Sequence, residues 1–259
     1  MSTLLLVVDM QNDFCKPWGS LYVKGSGKDA CLLGKFISDF DNKIDHIVLT
    51  QDNHQVIDIS HPCFWEDNNG NPPPPFTIIL PENISRGDWS PRYEKEKAID
   101  YIEKLGKQGE FPHTIWPEHC ITGSVGAAII DEIMDPVKMW ARKGHLFDVI
   151  TKGTNPLTEH FGVLRANIPI NGAPETQLNM HLINEFRLYD HVLIAGEAKS
   201  HCVANTVKQI MDIGGLAEKI ILLEDCMSDV EGFGTIALPI YERARESGVI
   251  FSSTDSWFN

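Results

Sequence analysis

The sequence predicts an α/β fold in which a parallel central sheet has helices on both faces. Two observations predict it: short apolar runs recur along the chain, and segments with helical spacing separate them. Each run is nearly continuous in Val, Ile and Leu, as in strands covered on both faces. The six predicted strands are 4–8, 46–49, 147–151, 191–195, 219–223 and 248–252.

The segments between the runs have apolar residues at helical spacing in at least two places. One set is Leu32, Leu33, Phe36, Ile37 and Phe40, and the other is Val203, Val207, Ile210 and Met211. Residues 62–113 interrupt the alternation with a polar, proline-rich stretch, although 94–106 has the composition of a helix. Residues 153–175 are predicted to be a loop. We expect residues 1–259 to form a single domain with an irregular excursion at about 62–113.

Composition limits the classes of function. The formal charge of −14 and the pI near 5.1 exclude nucleic acid as an expected partner, and a small neutral or cationic molecule suits the chain better. The apolar run before Asp9 is too short for a signal peptide or a membrane span, so no membrane partner is expected. Six cysteines without a CxxC pair indicate the reducing cytoplasm. Whether the chain forms a homo-oligomer is left open.

Polar residues follow the apolar runs at the positions where the predicted strands end. These residues are Asp9, Asp52, Lys152, Glu197 and Asp225. Because the carboxyl ends of parallel strands form the ligand crevice of an open sheet, the five side chains are expected to converge there. Taken alone, Asp9 and Asp225 are also ordinary cap or turn residues, and Lys152 is also an ordinary solvated lysine at the end of a strand. The role of Glu197 is left open.

Cys202 is the strongest candidate for a nucleophile. It follows the turn AGEAKSH and begins the helical stretch CVANTVKQIMDIG. The N–H groups and dipole at a helix start lower the pKa of a thiol, and Lys152 can supply an additional cation. A free cysteine is otherwise usually a small buried apolar residue, which is the interpretation for Cys15, Cys31, Cys63 and Cys226.

A second group of residues has the side-chain types that bind metal ions in proteins. Asp52 and His54 lie in the segment DNH, and His119 lies in the distant segment WPEHC. Two histidines and one carboxylate with open positions suit Zn²⁺, Fe²⁺ or Mn²⁺. Whether His61 is a further ligand is left open.

At these residues the sequence resembles the isochorismatase-like cysteine hydrolases, and among them the nicotinamidases. The matching segments are VVDMQNDFC with GSLYVKG, TQDNH, WPEHCITGSVGA, VITKG and AGEAKSHCV, in that order along nearly the whole chain. The resemblance implies a three-layer, Rossmann-like fold. It also implies a metal-assisted amidohydrolase that converts nicotinamide and water to nicotinate and ammonia through a thioester.

The resemblance assigns roles to individual positions. It implies a catalytic triad of Asp9, Lys152 and Cys202, and a single divalent ion, with Zn²⁺ expected and Fe²⁺ or Mn²⁺ as alternatives, on Asp52, His54 and His119. It places Phe14 and Trp116 beside the substrate ring, although core packing explains Phe14 equally well. The oxyanion hole falls on the N–H groups of Ala198 and Cys202, with a cis peptide bond expected before Ala198.

Three alternatives stay open. The first is a related amidase of the same family that acts on another small amide or ureido compound, because a triad does not specify a leaving group. The second is a non-haem iron oxygenase built on the two histidines and the carboxylate. The third is a non-catalytic binding protein. The long excursion and the charged turn Glu197-Ala198-Lys199-Ser200 depart from the family pattern. These departures bear on the inferred substrate more than on the inferred type of reaction.

Overall fold

The computed structural model describes residues 2–258 and contains ten strands. The strands are β1 (Thr3–Val8), β2 (His46–Asp52), β3 (Trp65–Glu66), β4 (Ile78–Ile79), β5 (Ser90–Pro91), β6 (His113–Thr114), β7 (Phe147–Lys152), β8 (His191–Gly196), β9 (Ile220–Leu223) and β10 (Ile250–Ser252). Six of these form the central sheet, and they coincide with the six apolar runs.

The central sheet has the order β10-β9-β8-β1-β2-β7, and every neighbouring pair is parallel. This confirms the predicted fold class. From β1 the chain adds β2 and β7 on one side of the sheet, and it then returns to add β8, β9 and β10 on the other side. The order therefore reverses between β1 and β8, which is where open α/β sheets bind their ligands.

Eight α-helices connect the strands. They are α1 (Asn12–Cys15), α2 (Ser26–Asp39), α3 (Pro81–Arg86), α4 (Lys95–Gln108), α5 (Asp131–Ala141), α6 (Met180–Leu188), α7 (Ala204–Ile213) and α8 (Leu238–Glu246). Helix α2 packs against α5, and α7 packs against α8. Because connections between parallel strands are right-handed in nearly all proteins, the sheet order implies that these two pairs lie on opposite faces of the sheet. None of the helices within residues 2–258 is long and apolar enough to cross a membrane.

Strand burial follows position in the sheet. Every residue of the central strand β1 is buried. The expectation that all six strands are covered on both faces is wrong for β10, where Ile250 is exposed, and for β7, where Asp148, Val149 and Thr151 are exposed. Like β10, strand β7 is an edge of the sheet, so it has a neighbouring strand on one side only. Its last residue, Lys152, is nevertheless buried.

The excursion at 62–113 is more ordered than its composition suggests. It contains the antiparallel pair β3–β5, helix α3 and helix α4, and strand β6 at its end pairs with β4. A separate apolar cluster holds it together: Ile59, Phe64, Trp65, Ile79, Ala98, Tyr101, Ile102, Leu105, Ile115 and Ile168. That the whole chain is one domain stays a prediction.

Candidate active site

The carboxyl ends of four strands bring the predicted catalytic residues together. Asp9 directly follows β1, Asp52 ends β2 and Lys152 ends β7, and the register pairs Asp52 with Lys152. Cys202 lies in a π-helical turn, Lys199–Val203, between β8 and α7. All four side chains are buried. Residues that are up to 193 positions apart in sequence thus meet at the reversal point of the sheet.

Lys152 connects the members of this cluster. Its Nζ lies 2.8 Å from Asp9 Oδ2, 3.2 Å from Asp52 Oδ1 and 3.6 Å from Cys202 Sγ. Burial alone would lower the pKa of Lys152, but the carboxylates of Asp52 and Asp9 raise it well above its usual range. The ammonium group is therefore charged at neutral pH.

The two carboxylates respond to burial in opposite ways. Burial raises the pKa of Asp9, and the charge of Lys152 offsets this only in part. Burial also acts to raise the pKa of Asp52, but His54 and Lys152 outweigh it and hold that pKa well below its usual range. Asp9 is consequently the stronger base of the two.

The thiol differs from the expectation drawn from the helix start. Burial raises the pKa of Cys202 well above its usual range, and the charge of Lys152 offsets only part of this effect. The Lys152 Nζ that lies 3.6 Å from Cys202 Sγ also lies 2.8 Å from Asp9 Oδ2, so the thiol and this carboxylate share one cation. The resting group is therefore a neutral thiol beside a base, because removal from water destabilises the thiolate more than the charge of Lys152 stabilises it.

Sequence reasoning did not identify two side chains that hold Asp9 and Asp52 in place. Asp9 has a positive φ of 45°, and its N–H donates to Thr50 Oγ1 at 3.0 Å, while Thr50 Oγ1 donates to Asp9 Oδ1 at 2.5 Å. Gln11 exchanges two hydrogen bonds with the backbone of Asp52, at 2.7 and 2.8 Å. Both residues lie inside the matching segments VVDMQNDFC and TQDNH, which is the signal that could have found them.

The predicted metal ligands also meet. Asp52, His54 and His119 offer donor atoms that lie within 4.8 Å of one another, and all three side chains are buried. His54 Nε2 lies 3.1 Å and His119 Nε2 lies 3.8 Å from Asp52 Oδ2. The opposite ring nitrogens are held by Asp58 Oδ2 at 3.1 Å and by the carbonyl of Pro117 at 2.9 Å.

This arrangement fits a divalent cation. Metal-binding histidines typically donate their second N–H to a carboxylate or a carbonyl, which aims the other nitrogen at the ion. A neutral His61 lies beside the group, since burial lowers its pKa to about 4. Its ring centroid is 5.3 Å from that of His54, and its buried Nε2 has no hydrogen-bond partner within residues 2–258. His61 is outside the set of donors within 4.8 Å.

A pocket with aromatic walls opens beside Cys202. Its lining is Phe14, Leu21, Asp52, Trp116, His119, Phe161, Ala198, His201, Cys202 and Val230. The expected residues Phe14 and Trp116 thus line the pocket, and both also belong to the main apolar core. Trp116 Nε1 donates to Glu159 Oε1 at 3.2 Å, and burial raises the pKa of Glu159 to about 8. Glu159, Phe161 and His201 were not predicted.

The turn that carries Cys202 begins at Ala198. The peptide bond between Glu197 and Ala198 is cis, as expected. The carbonyl of Ala198 accepts from the N–H groups of His201 and Val203, at 3.0 and 3.2 Å. Asp225, by contrast, does not join the cluster: its carboxylate accepts from the N–H and the hydroxyl of Thr254, as a turn residue would.

Comparison with known proteins identifies similar chains. The nicotinamidase of Saccharomyces cerevisiae is 27% identical over 210 residues, which is 81% of this chain and 82% of the relative. The nicotinamidase of Escherichia coli is 23% identical over 81% of this chain and 76% of the relative. No model of a known protein family matches the chain.

Solved structures agree with the sequence matches. The yeast nicotinamidase superposes with a TM-score of 0.68 at 22% identity, covering 96% of this chain and 99% of that one. A zinc complex of the Pyrococcus horikoshii pyrazinamidase gives 0.58 at 20%, covering 98% and 99%. An isochorismatase-like hydrolase from Alkaliphilus metalliredigens gives 0.55 at 14%, covering 100% and 98%.

The fold is therefore that of the isochorismatase-like hydrolases, with a buried Asp-Lys-Cys cluster at the reversal point of the sheet. Among proteins of this fold, the chain is similar to the nicotinamidases in sequence and in structure. These findings confirm the resemblance inferred from the sequence segments.

Proposed function

We propose that this chain is a nicotinamidase, a cysteine amidohydrolase that converts nicotinamide and water to nicotinate and ammonia. The observation that carries the proposal is the contact of Lys152 Nζ with both Asp9 Oδ2 and Cys202 Sγ, at 2.8 and 3.6 Å, beside an aromatic pocket. A thiol, a base and a fixed cation in one buried cluster are the parts that acyl transfer through a thioester requires.

The reaction begins when Cys202 Sγ attacks the carboxamide carbon and its proton passes to Asp9. The raised pKa of Asp9 favours this transfer, and Lys152 stabilises the negative charge as it moves between the two groups. Asp9 then protonates the departing nitrogen, so that ammonia leaves and a thioester remains. A water molecule that gives its proton to Asp9 hydrolyses the thioester, and nicotinate leaves with the thiol restored.

The backbone of the Cys202 turn supplies the oxyanion hole. We assign the N–H groups of Ala198 and Cys202 as donors to the oxygen that becomes negative in each tetrahedral intermediate. Such donors act strongly in a site that excludes water, because they are already oriented before the reaction. Ala198 and Cys202 both line the pocket, which supports this assignment.

Asp52, His54 and His119 would hold one divalent ion, which we propose to be Zn²⁺, with Fe²⁺ or Mn²⁺ as alternatives. When bound, the ion would supply a Lewis acid for the pyridine nitrogen and so fix the ring. Phe14 and Trp116 flank the same space, and restraint of the ring would present the carboxamide to Cys202. The zinc complex of a structural neighbour supports the choice of metal.

The nearest rival is a related amidase of the same fold that acts on another small amide or ureido compound. An ammonia-release assay of nicotinamide against a panel of such compounds decides between the two, with Cys202→Ala as the blank. The proposal requires nicotinamide to have the highest kcat/KM. An iron oxygenase would consume oxygen and leave Cys202 and Lys152 without a role, and a binding protein would keep its biological effect without Cys202.

We also propose that the protein acts in the cytoplasm. All six cysteines are free thiols, as expected of a protein that is kept reduced.

A further inference from the structure

Glu197 is a buried carboxyl group that the mechanism does not use. It lies directly after β8 and immediately before Ala198, and its side chain is fully buried. Burying an ionised carboxylate is costly unless a cation or several donors compensate it. Glu197 Oε2 instead accepts from the N–H of Ser228 at 3.3 Å, and the hydroxyl of the same Ser228 donates to Oδ2 of Asp29, so one serine holds both carboxyl groups.

A hydrogen bond between two carboxyl groups requires a proton on one of them. Glu197 Oε1 is buried and has no donor within residues 2–258. If this oxygen carries the proton, it becomes the donor and Asp29 accepts. Burial raises the pKa of Glu197 well above its usual range, and the charge of Asp29 raises it further. Burial also raises the pKa of Asp29, but the hydrogen bond that Asp29 accepts from Ser228 Oγ offsets this in part.

The pair connects the Cys202 turn to two other parts of the fold. Asp29 belongs to the first turn of α2, and Ser228 follows β9. The carbonyl of Ser228 accepts from Lys199 N–H at 2.8 Å, and Val230 N–H donates to Ser200 Oγ at 3.1 Å. Residues 228–230 therefore hold the turn at two consecutive positions, and the Glu197 side chain holds residue 228.

The charged and titratable groups around the pair leave little to stabilise a second negative charge. They are Lys28 beside Asp29 on α2, Cys15 on α1, Asp225 and Cys226 in the turn Glu224–Cys226, Asp229 in the next loop, and Tyr241 on α8. Of these groups, Lys28 alone is a cation. Ionisation of Glu197 would place two carboxylates side by side and remove their shared hydrogen bond.

We propose that Glu197 is a positioning residue: as a carboxylic acid hydrogen-bonded to Asp29 and Ser228, it fixes the turn that presents Ala198 N–H and Cys202 N–H to the substrate. The proposal rests on the proposed function, since it concerns the same oxyanion hole. Glu197 does not contact the thiol, so its loss should affect the intermediates more than the reactivity of Cys202.

The kinetic test compares Glu197→Gln, which retains a donor and an acceptor, with Glu197→Leu, which retains neither. For the Leu variant we expect kcat to fall by roughly 10- to 100-fold, KM to change by less than about threefold and Cys202 alkylation by iodoacetamide to persist. The Gln variant should retain most of the wild-type kcat. If ionisation of Glu197 lowers kcat of the wild type at alkaline pH, the Gln variant should not show that decline. Glu231→Gln, at an exposed glutamate nearby, is the matched control.

An independent test does not depend on turnover. The infrared difference between wild type and Glu197→Gln at pH 7.5 should contain the C=O band of a protonated carboxylic acid, and the Glu231→Gln difference should not. Absence of this band would overturn the proposal, as would a folded Glu197→Leu variant with wild-type kcat. If Glu197→Leu does not fold, the alkaline profile of the Gln variant and the infrared band decide. A wild type that releases no ammonia from nicotinamide contradicts the proposed function alone.

Discussion

Replacement of Lys152 by methionine tests the electrostatics of the candidate site. The substitution keeps much of the side-chain volume and removes the cation that lies 3.6 Å from Cys202 Sγ. At that distance two unit charges interact by about 5 kcal/mol at an effective dielectric constant of ~20. This value is an upper bound for the thiolate, because Asp9 takes up a proton when its counter-ion is lost and so repels the sulfur less.

We therefore expect a net loss of about 1.4–2.8 kcal/mol of thiolate stabilisation, which raises the thiol pKa by about one to two units. Alkylation of Cys202 by iodoacetamide at neutral pH should slow by roughly 10- to 100-fold. The measurement is the inactivation rate between pH 6 and 10, with the modified residue identified by mass spectrometry. Turnover should fall further than alkylation, because Lys152 also stabilises Asp9 during proton transfer.

Lys199→Met is the matched control. Lys199 belongs to the same turn as Cys202, but its side chain faces Glu224 at 3.8 Å and is partly exposed. The Lys199→Met substitution should leave the pH dependence of Cys202 alkylation unchanged. A profile of Lys152→Met that superposes on that of wild type would refute the reasoning, since it would mean that the lysine contributes nothing to the reactivity of the thiol.

Three further predictions use the same protein. Cys202→Ala should abolish ammonia release and keep the circular dichroism of wild type. Cys120→Ala should lower ammonia release much less. Near-normal turnover in Cys202→Ala would exclude the mechanism. His54→Ala and His119→Ala should each lower the metal content of the purified protein by elemental analysis, and an unchanged content in both would refute these ligands. Glu159, with a pKa raised by burial to about 8, binds more protons folded than unfolded between about pH 4.5 and 8. Its contribution to stability therefore falls as pH rises through that window, by up to ~1.4 kcal/mol per unit. Urea denaturation of Glu159→Gln should show a smaller decline from pH 5 to 8, and parallel curves would contradict the assignment.

The central sheet could be predicted from sequence because its strands are nearly continuous apolar runs. The positions of Asp9, Asp52 and Lys152 followed from the same pattern, since Asp9 directly follows its strand, and Asp52 and Lys152 are the last residues of theirs. The pattern could not show which two strands are the edges of the sheet, β7 and β10. Strand β7 has the composition of a buried strand, and only the sheet order explains why three of its residues are exposed.

The residues that support the site were harder to find for a different reason. Asp58 acts from a loop and Glu159 from the long segment after β7, and neither has a local signature, whereas Thr50 acts from inside a strand but lies in the matching segment TQDNH. The direction of the pKa shift at Cys202 was also beyond sequence reasoning. A helix start and a lysine suggest an activated thiolate, but the complete burial of the cluster reverses the sign.

Asp52 makes the catalytic cluster and the metal site parts of one electrostatic unit. Its Oδ1 lies 3.2 Å from Lys152 Nζ, whereas its Oδ2 faces the Nε2 atoms of His54 and His119. A cation held by the imidazoles would partly neutralise the negative charge of Asp52. Lys152 would then interact more strongly with Asp9, whose Oδ2 lies 2.8 Å from Lys152 Nζ. The same change would make Lys152 a better partner for a developing thiolate, because less of its charge is neutralised by Asp52. Loss of metal should therefore impair substrate positioning strongly and thiol reactivity weakly, and the second effect should disappear in a variant that lacks Lys152. Through the shared carboxylate, a bound ion would alter the reactivity of the Cys202 thiol without taking part in bond breaking.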